Sequence, residues 1–194
     1  MSARDEVLGR VRAALGAAVD VPEVPRGYRQ AGAVTGDVVD LFCERAADYL
    51  ATVTRVTRSE LDDAIARACE KRGSERVLAA EDDPGIPAAE LDGYDAALTG
   101  CALAIAETGT IVLDGGPASG RRALTLLPDH HLCVVEARQI VASVPDAIAA
   151  LEPAARVGRP ITLVSGPSAT SDIELERVEG VHGPRKLDIF VVTP

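Results

Sequence analysis

The chain contains no tryptophan, and aromatic residues make up only 3% of it. Nucleobases and flavin rings are held on aromatic shelves, so neither binding mode has its raw material here. A surplus of basic charge is also missing. Lys and Arg number 20 against 30 Asp and Glu, a formal net charge of −10. Phosphate backbones demand clustered cations, which excludes nucleic acid as a partner class; an acidic surface of this kind serves solubility. No apolar run approaches the roughly 18 residues of a membrane span, and the first residues carry no signal-peptide core. A soluble cytoplasmic protein is the expectation. The four cysteines, Cys43, Cys69, Cys101 and Cys133, show no CxxC or other close ligand spacing, so neither zinc nor an iron–sulfur cluster is encoded locally. Each has the apolar neighbours of a small buried hydrophobe. No metal and no cofactor is expected.

What is present is an α/β pattern. At 194 residues the chain suits one such domain with a sizeable core. Ser2 to Asp5 cap a first helix through about Leu15, with Gly16 as its stop and Val7, Leu8, Val11 and Leu15 along one stripe. Residues 20–36, with two prolines and three glycines, read as a linker. This divides the chain into an N-terminal helical arm and linker (1–36) and an α/β domain (37–194). Asp37 caps a helix through Leu50. Strands over 51–56 and 76–80 bracket a helix that opens at the Thr57–Glu60 capping box and ends at Gly73. The acidic turn Glu81–Asp83 is solvated rather than metal-binding. Further on, 95–99 and 132–135 read as strands and Arg121–Leu127 as a helix stopped by Pro128. Ser143 caps a helix over 144–151, with Pro153 beyond its end, and Ile161–Val164 and Leu187–Val192 complete the strands. Alternating strands and helices imply a three-layer α/β fold, a largely parallel sheet with helices on both faces.

Candidate chemistry concentrates in Ile161–Arg185, ITLVSGPSATSDIELERVEGVHGPR. Ile161–Val164 has the branching of a strand buried in a parallel sheet. Ser165, Gly166, Ser168 and Thr170 then crowd a turn, and Ser171 and Glu174 stand at capping-box spacing, which predicts a helix start. Exposed amides there, past the carboxyl end of a strand, either form an anion pocket, which better explains Gly166, Ser168 and Thr170, or belong to a well-capped helix start packed on the sheet. His182 and Arg185 return on a chain bent by Gly180, Gly183 and Pro184. Arg185 either pairs with Asp172 or Glu174 or clamps a carboxylate. His182 facing Asp172 would be a general base; the alternative is a structural salt-bridge lattice. Glu107 interrupts an apolar run, where an ionised side chain is costly unless paired. Thr108, Gly109 and Thr110 offer it a turn and hydroxyl partners. Glu107 is either a pocket carboxylate or a satisfied structural one. His130 and His131 point opposite ways on an extended chain, so at most one could bind a metal. The loop Gly115–Arg122 either folds over the pocket, offering Arg121 and Arg122 to an anion, or is an ordinary connection.

SGPSATSDIE (165–174) followed by GVHGPR (180–185), with AETGTIVL (106–113) upstream, resembles the bacterial LUD-domain family of lactate utilization proteins, firmly from about Asp95 to Val192. The resemblance implies the α/β fold shared by ribose-5-phosphate isomerase, CoA transferases and formyltetrahydrofolate cyclo-ligase. It also implies a role in oxidation of L-lactate to pyruvate beside iron–sulfur partner proteins. It brings no agreed catalytic set. Related CoA transferases use a nucleophilic Glu, which suggests a role for Glu107 by fold analogy alone. Two expectations follow. One is an accessory subunit that binds a small anion and docks on the iron–sulfur proteins, with a homo-oligomer left open. The other is a free-standing enzyme using Glu107 and the Asp172, His182 and Arg185 cluster on an anionic substrate. The first is preferred, because the chain has no cofactor fingerprint of its own. A third possibility is a scaffold acting purely through its surfaces.

Overall fold

In the computed structural model the described residues are 2–16, 22–32, 34, 36–171, 177–179 and 182–194. The Ser2 hydroxyl accepts the Asp5 amide at 3.2 Å and the Asp5 carboxylate accepts the Ser2 amide at 3.1 Å. This reciprocal cap starts α1 (Ala3–Leu15). No residue of α1 is buried, so its apolar stripe stays uncovered. The Asp37 carboxylate accepts the Val39 amide and starts α2 (Val38–Asp48). Then come β1 (Thr52–Thr57), α3 (Leu61–Arg72), β2 (Val77–Ala79), a single turn α4 (Ala88–Leu91), β3 (Ala96–Gly100), β4 (Leu103–Ile105) and β5 (Thr110–Leu113). The second half runs β6 (His130–Glu136), β7 (Ile140–Val141), α5 (Val144–Arg156), β8 (Thr162–Val164), β9 (Ala169–Ser171), β10 (Arg177–Glu179) and β11 (Lys186–Thr193).

The central sheet has five strands in the order β1-β11-β6-β3-β2, all neighbours parallel. The inner strands β11, β6 and β3 are largely apolar and buried, as a sheet covered on both faces requires, whereas the edge strand β1 reads TVTRVT. Successive side chains alternate between the faces. On one, Val56, Leu132, Phe190 and Val192 pack under Leu61 and Ala64 of α3. On the other, Cys133, Val135, Ile189 and Val191 meet Phe42 and Ala46 of α2 together with Ala104, Ile111 and Leu113. Those last residues belong to a second sheet, β7-β4-β5-β8, in which only β4 and β7 are parallel. Ala147 and Leu151 of α5 cover its outer side. The expected mixed α/β fold with a largely parallel central sheet is thus present, and the second sheet shares one of its faces with α2. Fully burying a side chain such as Phe42 or Phe190 contributes about 2–3 kcal/mol.

Four local expectations change. Ile161–Val164 is not in the parallel sheet; β8 is an antiparallel edge partner of β5, with Leu163 half exposed. A short apolar run reads alike at a sheet centre and on an edge beside a cleft. Arg121–Leu127 is a chain of turns, with amides three residues on bonding the carbonyls of Arg121, Arg122 and Ala123. The helix from Ser143 does not stop before Pro153 but runs to Arg156. The carbonyl left without a donor by Pro153 is that of Ala149, an exposed residue that water can reach. Ser171, read as the start of a helix, is the last residue of β9 and pairs with Arg177 of the antiparallel β10; residues 172–176, where that helix would run, lie outside the described residues.

Candidate functional site

Between β8 and the amino-terminal ends of β6 and β11 lies a cleft of about 280 Å3. One wall is the continuous run Thr162–Ser168, and His182, Gly183 and Pro184 close one side. Arg122, Thr125, Leu126, His131 and Leu187 complete the described lining. β8 contributes its carboxyl end, as expected of a pocket following that strand. The main sheet contributes amino ends instead, and no helix N-terminus joins the described lining.

Hydrogen bonds between the two arms of the motif hold the mouth. The Ser168 amide donates to the Pro184 carbonyl at 2.7 Å, and the Ser168 hydroxyl accepts the His182 amide at 3.1 Å. The His182 side chain is left exposed. Gly166 has φ +76°, and a Cβ there would lie 2.1 Å from the Tyr49 carbonyl oxygen. Gly109 has φ +59°, with a Cβ 2.3 Å from the Ala46 nitrogen. Both motif glycines are therefore required by the approach of α2 and the residue that ends it.

Glu107 sits on a 3-10 turn between β4 and β5. Arg29 Nη2 donates to both its carboxylate oxygens, at 2.8 and 2.9 Å, and its side chain is 35% exposed. The turn lifts it out of the apolar run, and Arg29, far upstream in the chain, supplies the countercharge. Glu107 does not line the cleft, but hydroxyls connect the two places. Thr108 Oγ1 and Thr110 Oγ1 share a 2.7 Å bond, and Thr110 Oγ1 and Ser165 Oγ another of 2.7 Å. The two motifs are thus linked by hydrogen bonds without sharing one cavity.

Arg185 Nε donates to Asp129 Oδ1 at 2.6 Å. Burial pushes the Asp129 carboxyl up, but Arg185 and Lys186 outweigh it and hold it below the ordinary carboxylate range. The expected partners of Arg185 and His182, Asp172 and Glu174, lie outside the described residues, as does the Thr170 side chain. Of the two loop arginines, Arg121 is tied to Asp83 and to the Ile86 carbonyl. Arg122 is exposed, lines the cleft and forms no ion pair among the described residues.

His130 and His131 do point apart. Buried His130 shares bonds with Ser74 Oγ at 2.9 Å and Asp188 Oδ2 at 2.8 Å, and Arg72 Nε reaches the same carboxylate oxygen at 3.3 Å. His131 Nε2 bonds Thr99 Oγ1 at 2.9 Å, and its ring borders the cleft. Sequence reasoning weighed His131 only as a metal ligand and passed over Thr125 and Leu126. Strand alternation separates the two histidines but does not say which one meets a cavity. No group of three His, Cys, Asp or Glu that could hold a metal ion occurs among the described residues. The described lining offers one guanidinium, two imidazoles and several hydroxyls, with no carboxylate. That favours an anion.

The LUD domain family matches residues 88–192. A lactate utilization protein C of Deinococcus radiodurans is 48% identical over 171 residues, covering 80% of each chain. An uncharacterized protein of Neisseria meningitidis is 31% identical, covering 100% of this chain and 95% of its own. The crystal structure of a DUF162 family protein from Deinococcus radiodurans superposes with a TM-score of 0.67 at 41% identity, over 80% of this chain and 96% of that one.

Proposed function

The chain belongs to the LUD-domain family, and from that premise we propose that it serves lactate utilization as a small-anion-binding component working beside iron–sulfur partner proteins. Relatives that carry the lactate utilization name support the pathway. The observation that carries the anion reading is the cleft, in which Arg122, His182, Ser165 and Ser168 converge with no described carboxylate. Its volume of about 280 Å3 is at or below the lower end of ligand pockets, roughly 300–1,000 Å3. That size suits a three- or four-carbon acid better than a CoA pyrophosphate with its nucleoside. The competing reading, a free-standing acid–base enzyme, needs a carboxylate facing the ligand. Glu107 does not line the cleft and is engaged by Arg29, and no carboxylate stands in the described lining, so the accessory role is the better supported.

Calorimetric titration of the purified protein with L-lactate, pyruvate, phosphate and CoA tests this. A small carboxylate should bind, and Arg122→Ala should weaken it roughly tenfold or more by removing a charge-assisted hydrogen bond. Glu107→Gln should leave the affinity unchanged. Absence of binding by all four, or binding of CoA alone, sinks the proposal.

A further inference from the structure

His131 supplies a feature of the cleft that attraction for an anion does not require. The residue is only 2% exposed, yet it borders the cleft. Nε2 is occupied by Thr99 Oγ1 at 2.9 Å. Among the described residues no buried side-chain nitrogen or oxygen lacks a partner. No described group bonds Nδ1, so Nδ1 is the ring atom that opens on the cleft. Burial, reinforced by the charge His130 can carry, pushes the ring's pKa down to about 4, so it is neutral at pH 7. A neutral imidazole has one N–H and one lone pair. The Thr99 hydroxyl has no other described partner, so donation to Nε2 is the arrangement that leaves its hydrogen used, and that arrangement puts the ring proton on Nδ1.

We infer that His131 is the specificity-determining residue of the cleft, donating from Nδ1 to a second oxygen of a small carboxylate whose charged end Arg122 holds. The inference rests on the small-anion reading and adds a choice among anions. A cationic ring would attract any of them. A neutral, fixed donor favours an acid with a hydroxyl or carbonyl oxygen in the right place and is left unpaired by the same acid without it. Arg122 and His182 are the other charged or titratable groups of the described lining. His130 is turned away onto Ser74 and Asp188.

Two measurements on the full chain test this. The chain has only three histidines, so nitrogen NMR of 15N-histidine-labelled protein resolves every ring. One ring, missing in His131→Asn, should remain neutral and Nδ1-protonated from pH 7 down to about pH 5. A cationic ring at pH 7, or one protonated at Nε2, overturns the inference. Calorimetry then compares pyruvate and L-lactate with propionate. The oxygenated acids should bind about tenfold more tightly. The preference should collapse in His131→Leu and persist in His131→Asn, whose amide N–H replaces Nδ1–H. It should shrink in Thr99→Val, which releases the tautomer without altering the cleft lining and carries the test if His131→Leu does not fold. Acids that bind through Arg122 with equal affinity overturn the role of His131 and leave the anion site standing. If none of the three binds, both fall.

Discussion

His130 and His131 are neighbours whose surroundings set opposite demands. The His130 ring is satisfied on both nitrogens, by Ser74 and Asp188, and its work is internal to the sheet. His131 is buried without a carboxylate and is held neutral, with its pKa near 4 against about 6.5 in an unfolded chain. Between those values the unfolded chain binds the extra proton and the native one does not. The stability associated with His131 is therefore complete above about pH 6.5 and lost as pH falls through about 4, roughly 3 kcal/mol in all. Urea unfolding at pH 7 and pH 4.5 should show a smaller acid loss in His131→Leu than in wild type. Equal losses would mean that the ring titrates normally. The pair between Arg29 and Glu107 is a weaker matter. Both side chains are substantially exposed, so Arg29→Ala should cost less than about 1 kcal/mol in the same assay.

At the scale of elements, α2 decides what the motif glycines are for. Gly109 and Gly166 look like ligand cradles in sequence, because a glycine beside hydroxyls is how anion loops are written. The same residues also permit close backbone approach, and here Ala46 and Tyr49 make that approach. Gly109→Ala puts a methyl 2.3 Å from a backbone nitrogen at a φ of +59°. It should destabilise by roughly 2–4 kcal/mol, seen as a lower denaturation midpoint at unchanged slope. A change below about 0.5 kcal/mol would show that α2 simply moves aside. Local signals elsewhere were legible where they are complete within a few residues. The Ser2, Asp37 and Ser143 caps fall where the pattern puts them. Signals that depend on a distant partner misled. Ser171 carries capping-box spacing, yet it ends β9 in a strand pairing with Arg177 that nothing in that spacing announces. The apolar run before Ser165 gives no sign that its neighbour is β5 rather than the central sheet.

Over the whole molecule, the alternation of strands and helices was enough for the α/β class, since it reflects burial on two faces. The cleft was only half readable. Ser165, Gly166, Ser168 and His182 come from one contiguous stretch, whereas Arg122, Thr125, Leu126 and His131 reach it through tertiary packing alone. Glu107, the most conspicuous carboxylate in the sequence, belongs to a different surface. The uncovered stripe of α1 gives a further expectation. Since no residue of that helix is buried, removing residues 1–16 should shift the melting temperature by no more than about 2 °C. A larger fall would mean that α1 is covered in solution, as by a second copy of the chain, and light scattering on the same samples would reveal the change in mass.

β11 lies between β1 and β6, although it is the last strand in chain order. Until Lys186–Thr193 are in place, β1 has no partner in the central sheet and stands apart from the β6-β3-β2 group. Leu187, which lines the cleft, arrives with the same strand. During synthesis the growing chain therefore carries two unjoined fragments with open strand edges, and only β11 joins them and completes the cleft. Ribosome-bound chains stopped before Lys186 should be open to protease and unable to bind the acid, whereas the finished chain closes in one late step.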